Sequence, residues 1–269
     1  QQRRELGIRM TNIDFSKSEQ YILSIRLSAD GFSFSIHHPQ KMEDFFFTTY
    51  QVNTSYSLTA NIKEMIVSTD ILKHSYRQVN ILINTNRVTP IPFDLFEDES
   101  SETLFYHNFS KIDNEIVLCN VLGKSNIALL FGMDKYAHQL LIEQFPKARI
   151  FASISPIIEH FVLKSKEESS RNLYVHFLKE KMEVFAFDKG KLLFINSFNC
   201  KVIADQVYYI LYVWQQLGFS QERDQLGLAG TIEHEDELLT ELDKFLRKVT
   251  LLPQKQFISY DIQTLMICE

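Results

Sequence analysis

The chain has 269 residues, 45% of them apolar and 13% aromatic, with 22 Phe and a formal net charge of -6. That length supports one large or two modest domains with real cores, and with this apolar content disorder is not the default reading for any large part. No Lys/Arg run suited to a phosphate backbone occurs, which disfavours a nucleic-acid partner. The longest apolar runs, around Ile127 to Met133 and Val207 to Trp214, are too short or too interrupted to span a bilayer.

Cys119, Cys200 and Cys268 form an odd count without C-x-x-C spacing, against both a disulfide framework and a zinc site. A reducing, cytoplasmic setting is expected. The opening Gln1-Gln2-Arg3-Arg4 carries no apolar segment of signal-peptide type.

In chain order, Tyr21 to Leu27 reads as a strand, Ser28-Ala29-Asp30-Gly31 as its turn, and Phe32 to Ile36 as the returning strand, with apolar residues alternating with serines. A third strand is expected at Phe45 to Val52. Ser57 then reads as the N-cap of a helix carrying Leu58, Ile62, Met65, Ile66 and Leu72 on one stripe. Val79 to Ile83 follows as a central parallel strand. Acidic Glu97 to Glu102 is the expected mobile surface loop. Two apolar runs, Glu115 to Leu122 and Asn126 to Phe131, flank Gly123-Lys124-Ser125, and a helix is predicted over Lys135 to Phe145. After a strand at Arg149 to Ala152, Ser155 is placed to cap a helix with Pro156 at its first position.

The opening order then recurs. Asn172 to Phe177 and Met182 to Phe187 are strands around a turn at Leu178 to Lys181, and Asp188-Lys189-Gly190-Lys191 is a hairpin signal leading to Leu192 to Phe198. A helix over Ala204 to Leu217 stops at Gly218, and Gln225 to Leu228 supplies the strand after it. Both halves therefore read β-β-β-α-β, the core of a ribonuclease-H-like unit, and two copies make the actin-like architecture. The division expected is 1–92 for the first unit, 93–165 for an insert that completes the first half, and 166–269 for the second unit.

With these elements in place, the chain resembles a Bacteroidetes family catalogued as domain of unknown function 3822 and, more distantly, actin-like cell-division and pilus-assembly ATPases. The resemblance runs from about Tyr21 to Leu252, and its most telling phrases are Arg87-Val88-Thr89-Pro90-Ile91-Pro92, Glu115-Ile116-Val117-Leu118 and Asn126 to Lys135. It implies a fold, since the family has no established activity to lend.

The distant superfamily implies a chemistry as well: an Asp at the end of each first strand for Mg²⁺, and turn glycines whose amides meet the phosphates. Laid on that pattern, the first hairpin has Arg26 at the Asp position and Ser28 at the first Gly position. A shifted register makes Asp30-Gly31-Phe32-Ser33 the motif, whereas Asp30-Gly31 on its own terms is a common hairpin turn. Counting back from Gly190-Lys191, the second hairpin has His176 at the Asp position, Leu178 and Lys179 at the Gly positions, then Glu180 and Lys181. The adenosine-side motif survives as Leu226 to Thr231, where Gly230 is either a point of close ligand approach or a strand-to-helix turn. The low-specificity cleft candidates are thus Arg26, Ser28, Asp30, Gly31, His176, Lys179, Glu180 and Gly230. The expectation is a decayed nucleotide site without cofactor or catalytic residue, in a binding or scaffold protein with a protein partner. The alternative is a divergent ATPase or phosphotransferase taking ATP and Mg²⁺ between the halves.

His37 and His38 are neighbours on a strand, face opposite sides and read as surface or edge residues. Glu233 to Glu237 reads as the acidic start of a helix rather than as metal ligands. Cys119 and Cys200, in or beside strands, read as small buried hydrophobes. Trp214 and one tyrosine of its helix are expected in the core, leaving Tyr208 and Tyr212 as a possible partner face.

Overall fold

The computed structural model describes residues 8–10, 13–29, 31–256 and 258–268, with the side chains of Ile8, Arg9, Met10 and Met42 left aside. The chain forms two compact units, residues 1–155 and 156–269.

The first unit runs β1 (Ile8–Met10), β2 (Ile22–Ser28), β3 (Gly31–His38), β4 (Lys41–Tyr50), α1 (Leu58–Ser68), β5 (Gln78–Ile83), β6 (Val88–Pro92), α2 (Ser101–Asn108), β7 (Glu115–Leu122), β8 (Ile127–Asp134), α3 (Lys135–Gln144) and β9 (Arg149–Ala152). Its larger sheet has the order β1-β4-β3-β2-β5-β9, antiparallel through the meander and parallel across β2, β5 and β9. Strand alternation sends Leu23, Ile25 and Leu27 to one face and Ser24, Arg26 and Ser28 to the other. Ser24 lies opposite Ser35 on β3 and Asn80 on β5 in the ladder, and all three are buried. Arg149 Nε donates to Asn80 Oδ1 at 3.1 Å, so this face is polar in register.

α1 forms because Ser57 Oγ accepts from the Ala60 amide, satisfying one of the donors a helix start leaves open. Asp134 does the same for α3 through the Ala137 amide and also accepts from Thr59 Oγ1 on α1.

β6, β8 and β7 form a second, antiparallel sheet, β6-β8-β7. Arg87 and Glu115, from two of the telling phrases, pair across it: Nε to Oε2 at 2.7 Å and Nη2 to Oε1 at 2.8 Å. Glu115 is 3% exposed, and the guanidinium lies over the rings of Phe105 and Phe109. The carboxylate rests on Gly132, where a Cβ would overlap it; that close approach is why glycine interrupts a buried strand.

Asn120 joins this sheet to the larger one. Its Nδ2 donates to the Ile150 carbonyl at 2.9 Å, and its Oδ1 accepts from the Ala152 amide at 2.9 Å and Ser155 Oγ at 2.7 Å. One side chain thus takes the place of a strand along the outer edge of β9.

The second unit holds α4 (Ile154–Glu167, whose first two residues belong to the first unit), β10 (Asn172–Phe177), β11 (Lys181–Asp188), β12 (Lys191–Asn199), α5 (Ile203–Gln216), β13 (Gln225–Gly230), α6 (Glu235–Asp243), β14 (Val249–Leu251) and α7 (Tyr260–Cys268). Its sheet order, β12-β11-β10-β13-β14, matches β4-β3-β2-β5-β9 strand for strand, and β10 pairs parallel with β13 as β2 does with β5. Leu173, Val175 and Phe177 enter a core with Ile210, Val213 and Trp214 of α5 and Leu238 and Leu242 of α6. On the opposite face Tyr174 stacks on Phe161 of α4 at 4.3 Å, with Tyr260 of α7 beside it. Lys189 and Gly190 both take positive φ, the geometry a two-residue hairpin turn requires. α5 ends in a Schellman motif: the Phe219 amide bonds Trp214 O and the Gly218 amide Gln215 O, with Gly218 at φ +62°. Arg171 then covers the Leu217 and Gly218 carbonyls and pairs with Asp224 at 3.0 Å.

Several expectations are corrected. Glu97 to Glu102 is a single 3₁₀ turn running into α2, because its acidic residues suit a helix start. The helix after Ser57 ends at Ser68, and Leu72 sits in a separate 3₁₀ turn. The third strand begins earlier, at Lys41, and ends at Tyr50. α4 starts at Ile154, which puts Pro156 at the third helical position, still within the turn where a missing N–H is harmless. His37 is buried on β3, which is an interior strand between β2 and β4 and not an edge, whereas His38 at the end of the strand is partly exposed. Cys119 is exposed, because β7 is an edge strand, whereas Cys200 is buried.

Candidate functional site

In open sheets ligands collect at the carboxyl ends of parallel strands, where the flanking loops diverge. In the second unit those ends belong to β10 and β13, and a cleft of about 390 Å³ opens there. Its walls come from the turn after β10 (Leu178, Lys179), the start of α5 (Lys201 to Ala204, Gln206) and the segment leading into α6 (Thr231, Glu233, His234, Glu237). The volume lies within the ~300–1,000 Å³ range of small-molecule pockets.

The charges do not favour a polyanion. Lys179 and Lys201 are matched by Glu233 and Glu237 in the lining, and Lys201 pairs with Glu180 at 3.2 Å. The turn itself is closed: the Leu178 amide donates to Lys181 O, and the Glu180 carbonyl accepts from the Cys200 amide. Neither Lys179 nor Glu180 takes positive φ, so the turn does not curl into a concave row of amides.

His176, expected at the site of the lost Asp, is instead turned inward. It is 3% exposed, and its Nδ1 meets Glu183 Oε1 at 2.8 Å, with Lys181 Nζ 3.8 Å from the second carboxylate oxygen. Tyr260 of α7 lies against the imidazole. His176 is not among the cleft-lining residues, so its place is in the buried face of the sheet.

Gly230 ends β13 with φ +93°, and a Cβ there would stand 2.3 Å from the Phe177 carbonyl oxygen. The glycine is demanded by the β10–β13 pairing itself. Its amide donates to Gln254 Oε1 at 3.0 Å, so the N–H that would greet a ligand is bonded inside the chain.

In the first unit Arg26 is half-buried on β2, Ser28 is buried at the strand end, and Gly31 opens β3. A Cβ on Gly31 would make an ordinary 3.8 Å contact with Tyr50 O, so space does not require glycine there. Asp30 lies outside the described residues. The structure therefore brings Lys179 to the cleft, sets Glu180 and Gly230 beside it, and keeps His176 away from it.

Sequence reasoning did not place the far wall at the cleft, neither Lys201 to Ala204 and Gln206 nor Glu233, His234 and Glu237, which it read only as a helix start, and it missed Gln254. The Glu183 partner of His176 was recoverable, since strands at 172–177 and 182–187 closed by a tight turn set those two residues opposite one another. Gln254 offers no local signal, standing 24 positions from the amide it binds. The acidic residues Glu235, Asp236 and Glu237 fill the first turn of α6, and among the described residues no group of His, Cys, Asp and Glu is arranged to hold a metal ion.

Over residues 10–249 the chain matches the family model described as a protein of unknown function, DUF3822. Among solved structures it is similar to a Bacteroides thetaiotaomicron VPI-5482 protein with actin-like ATPase fold and unknown function. The two are 45% identical, with 96% of this chain and 100% of that one covered and a TM-score of 0.86. It is also similar in fold to a chain of the PilM-PilN type IV pilus biogenesis complex, at 9% identity, 86% and 88% coverage and a TM-score of 0.53. No curated protein matches it in sequence.

Proposed function

Because the chain belongs to the DUF3822 family of proteins of unknown function and carries the actin-like ATPase fold, we propose that it is a non-catalytic binding or scaffold protein whose nucleotide site has decayed. The observation that carries this reading is the turn after β10. Phosphate binding there needs free backbone amides with no side chain in the way and no negative charge beside them. The turn instead closes on itself, carries Glu180 and faces Glu233 and Glu237 across the cleft. Gly230 adds to the case, since both its conformation and its amide serve the fold.

Phosphoryl transfer depends on a hard anionic anchor for Mg²⁺. Around the ends of the two first strands stand Arg26 and Ser28 in one unit and the inward His176 in the other. A protein partner fits the reading because Tyr208 and Tyr212 on α5 stack at 6.1 Å while 61% and 47% exposed, and tyrosine is enriched at interfaces.

The test is calorimetric titration with Mg-ATP beside a thermal-shift series with ATP, ADP and phosphate. A ligand at a hundredfold its Kd adds ~2.7 kcal/mol of stability. The expected result is no shift; a shift with ATP that vanishes on chelation of Mg²⁺ overturns the proposal.

A further inference from the structure

A sheet edge offers unpaired N–H and C=O groups to any extended segment that meets it, and proline, bulges, short length or a covering segment usually shield it. β7 is eight residues long, contains no proline and, among the described residues, pairs without a bulge to β8 alone. Its open side lies beside a concentration of negative charge. Between Val88 and Ser110 the chain has no Lys or Arg but carries Asp94, Glu97, Asp98, Glu99 and Glu102. All five are exposed, and among the described residues none of these carboxylates forms an ion pair or accepts a hydrogen bond.

α2, which Glu102 helps to open, crosses all three strands of the small sheet. Its Phe105 lies over Gly132, which stands opposite Val117 in the ladder. Alternation therefore puts Val117, Cys119 and Val121 on the α2 face, and Ile116, Leu118 and Leu122 on the other. Desolvation and, after it, the charge of Asp98 raise the thiol of Cys119, exposed though that residue is. The acidic 3₁₀ turn Asp98–Ser100 thus reaches the β7 side of this face.

We propose that β7 is a docking edge for an extended, basic segment of another protein, which adds to the three-stranded sheet as a further strand. In this mode of recognition backbone hydrogen bonds to the open edge supply affinity, and alternate side chains select the partner. Every second side chain of the added strand points to the α2 face and meets the unmatched carboxylates; the others lie beside half-buried Ile116 and Leu118. The occupant that fits therefore alternates Lys or Arg with apolar residues. A second copy of this chain does not fit, because each β7 would bring its own acidic turn to the shared edge and set like charge against like. The inference does not depend on the proposed loss of nucleotide binding.

The test uses the full chain and a fluorescein-labelled peptide alternating Lys and Val, with the eight-residue length of β7. One control peptide alternates Glu and Val; the other has the same composition with its lysines and valines in two blocks. Fluorescence anisotropy is expected to show saturable binding of the alternating Lys peptide, weakening as salt rises, and about tenfold or more weaker binding of both controls. Hydrogen exchange at β7 amides is expected to slow when the peptide binds. Glu97→Gln, Asp98→Asn and Glu99→Gln combined remove charges from exposed side chains and are expected to weaken binding about tenfold. The peptide controls keep the test decisive should that variant fail to fold. No binding at millimolar peptide, equal binding of a control, an affinity indifferent to the three substitutions in a folded chain, or binding that leaves β7 exchange unchanged overturns the proposal. So does a chain that self-associates without peptide and protects its β7 amides in doing so, which would give the edge to a second copy.

Discussion

Gly230→Ala separates a glycine kept for the fold from one kept for a ligand. At φ +93° an L-residue is strained by ~1–3 kcal/mol. The added methyl would also stand 2.3 Å from Phe177 O and 2.9 Å from both Phe177 N and His176 Cδ2. The two nearest backbone atoms belong to β10, which is held on both sides by β11 and β13, so relief must come from β13 moving away. That movement loosens the Thr231 amide to Phe177 O bond at 3.2 Å and the Gly230 amide to Gln254 bond, each contributing ~0.5–1.5 kcal/mol. The sum is ~2–6 kcal/mol, or a fall in Tm of roughly 4–24 °C. Scanning calorimetry reads it directly. A variant that melts within ~2 °C of the parent refutes the packing argument, and one that also loses affinity for a small anion would show that the glycine serves a ligand.

Three further outcomes are expected. Arg87→Ala leaves the Glu115 carboxylate buried without its bidentate partner and is expected to cost ~3–5 kcal/mol in urea unfolding, with Arg87→Lys recovering only part. Asn120→Ala strips three hydrogen bonds and leaves the Ala152 amide without its acceptor, a loss of ~1–3 kcal/mol, visible as faster hydrogen exchange at Ala152. Burial holds the phenols of Tyr76, Tyr174 and Tyr260 well above the ordinary tyrosine value, with Glu168 adding to the effect at Tyr174. The folded chain therefore keeps these protons where the unfolded chain releases them. The stability they confer is intact below pH ~10 and declines as the pH rises past it. Absorbance titration should show these three among the 11 tyrosines ionising only as the chain unfolds, and a normal titration of all 11 in folded protein would refute it.

The strand and helix order was legible because each element carries its own periodicity: Asn172 to Phe177 and Glu115 to Leu122 coincide with the observed strands at both ends. Ser57 and Gly218 announced a helix start and a helix stop through chemistry confined to a few residues. The short helix α2 was not legible, since its acidic first turn resembles a solvated loop when read alone. Burial was the harder property. His37 reads as an edge residue until β4 is known to cover β3 on its outer side, and Cys119 reads as a core residue until β7 is known to be an edge. The candidate site was legible only on the side built from one hairpin; Gln254 and the α5 and α6 starts reach it through tertiary folding.

The contact made by Asn120 has a mechanical consequence. Where two sheets share a backbone ladder, parting them means breaking a cooperative row of bonds. At this junction three bonds radiate from a single amide group, and turning that side chain about its own torsion angles releases all of them together. Turning Asn120 therefore unfastens β7 from β9 in a single step, while the Thr59–Asp134 bond still ties α1 to the end of β8.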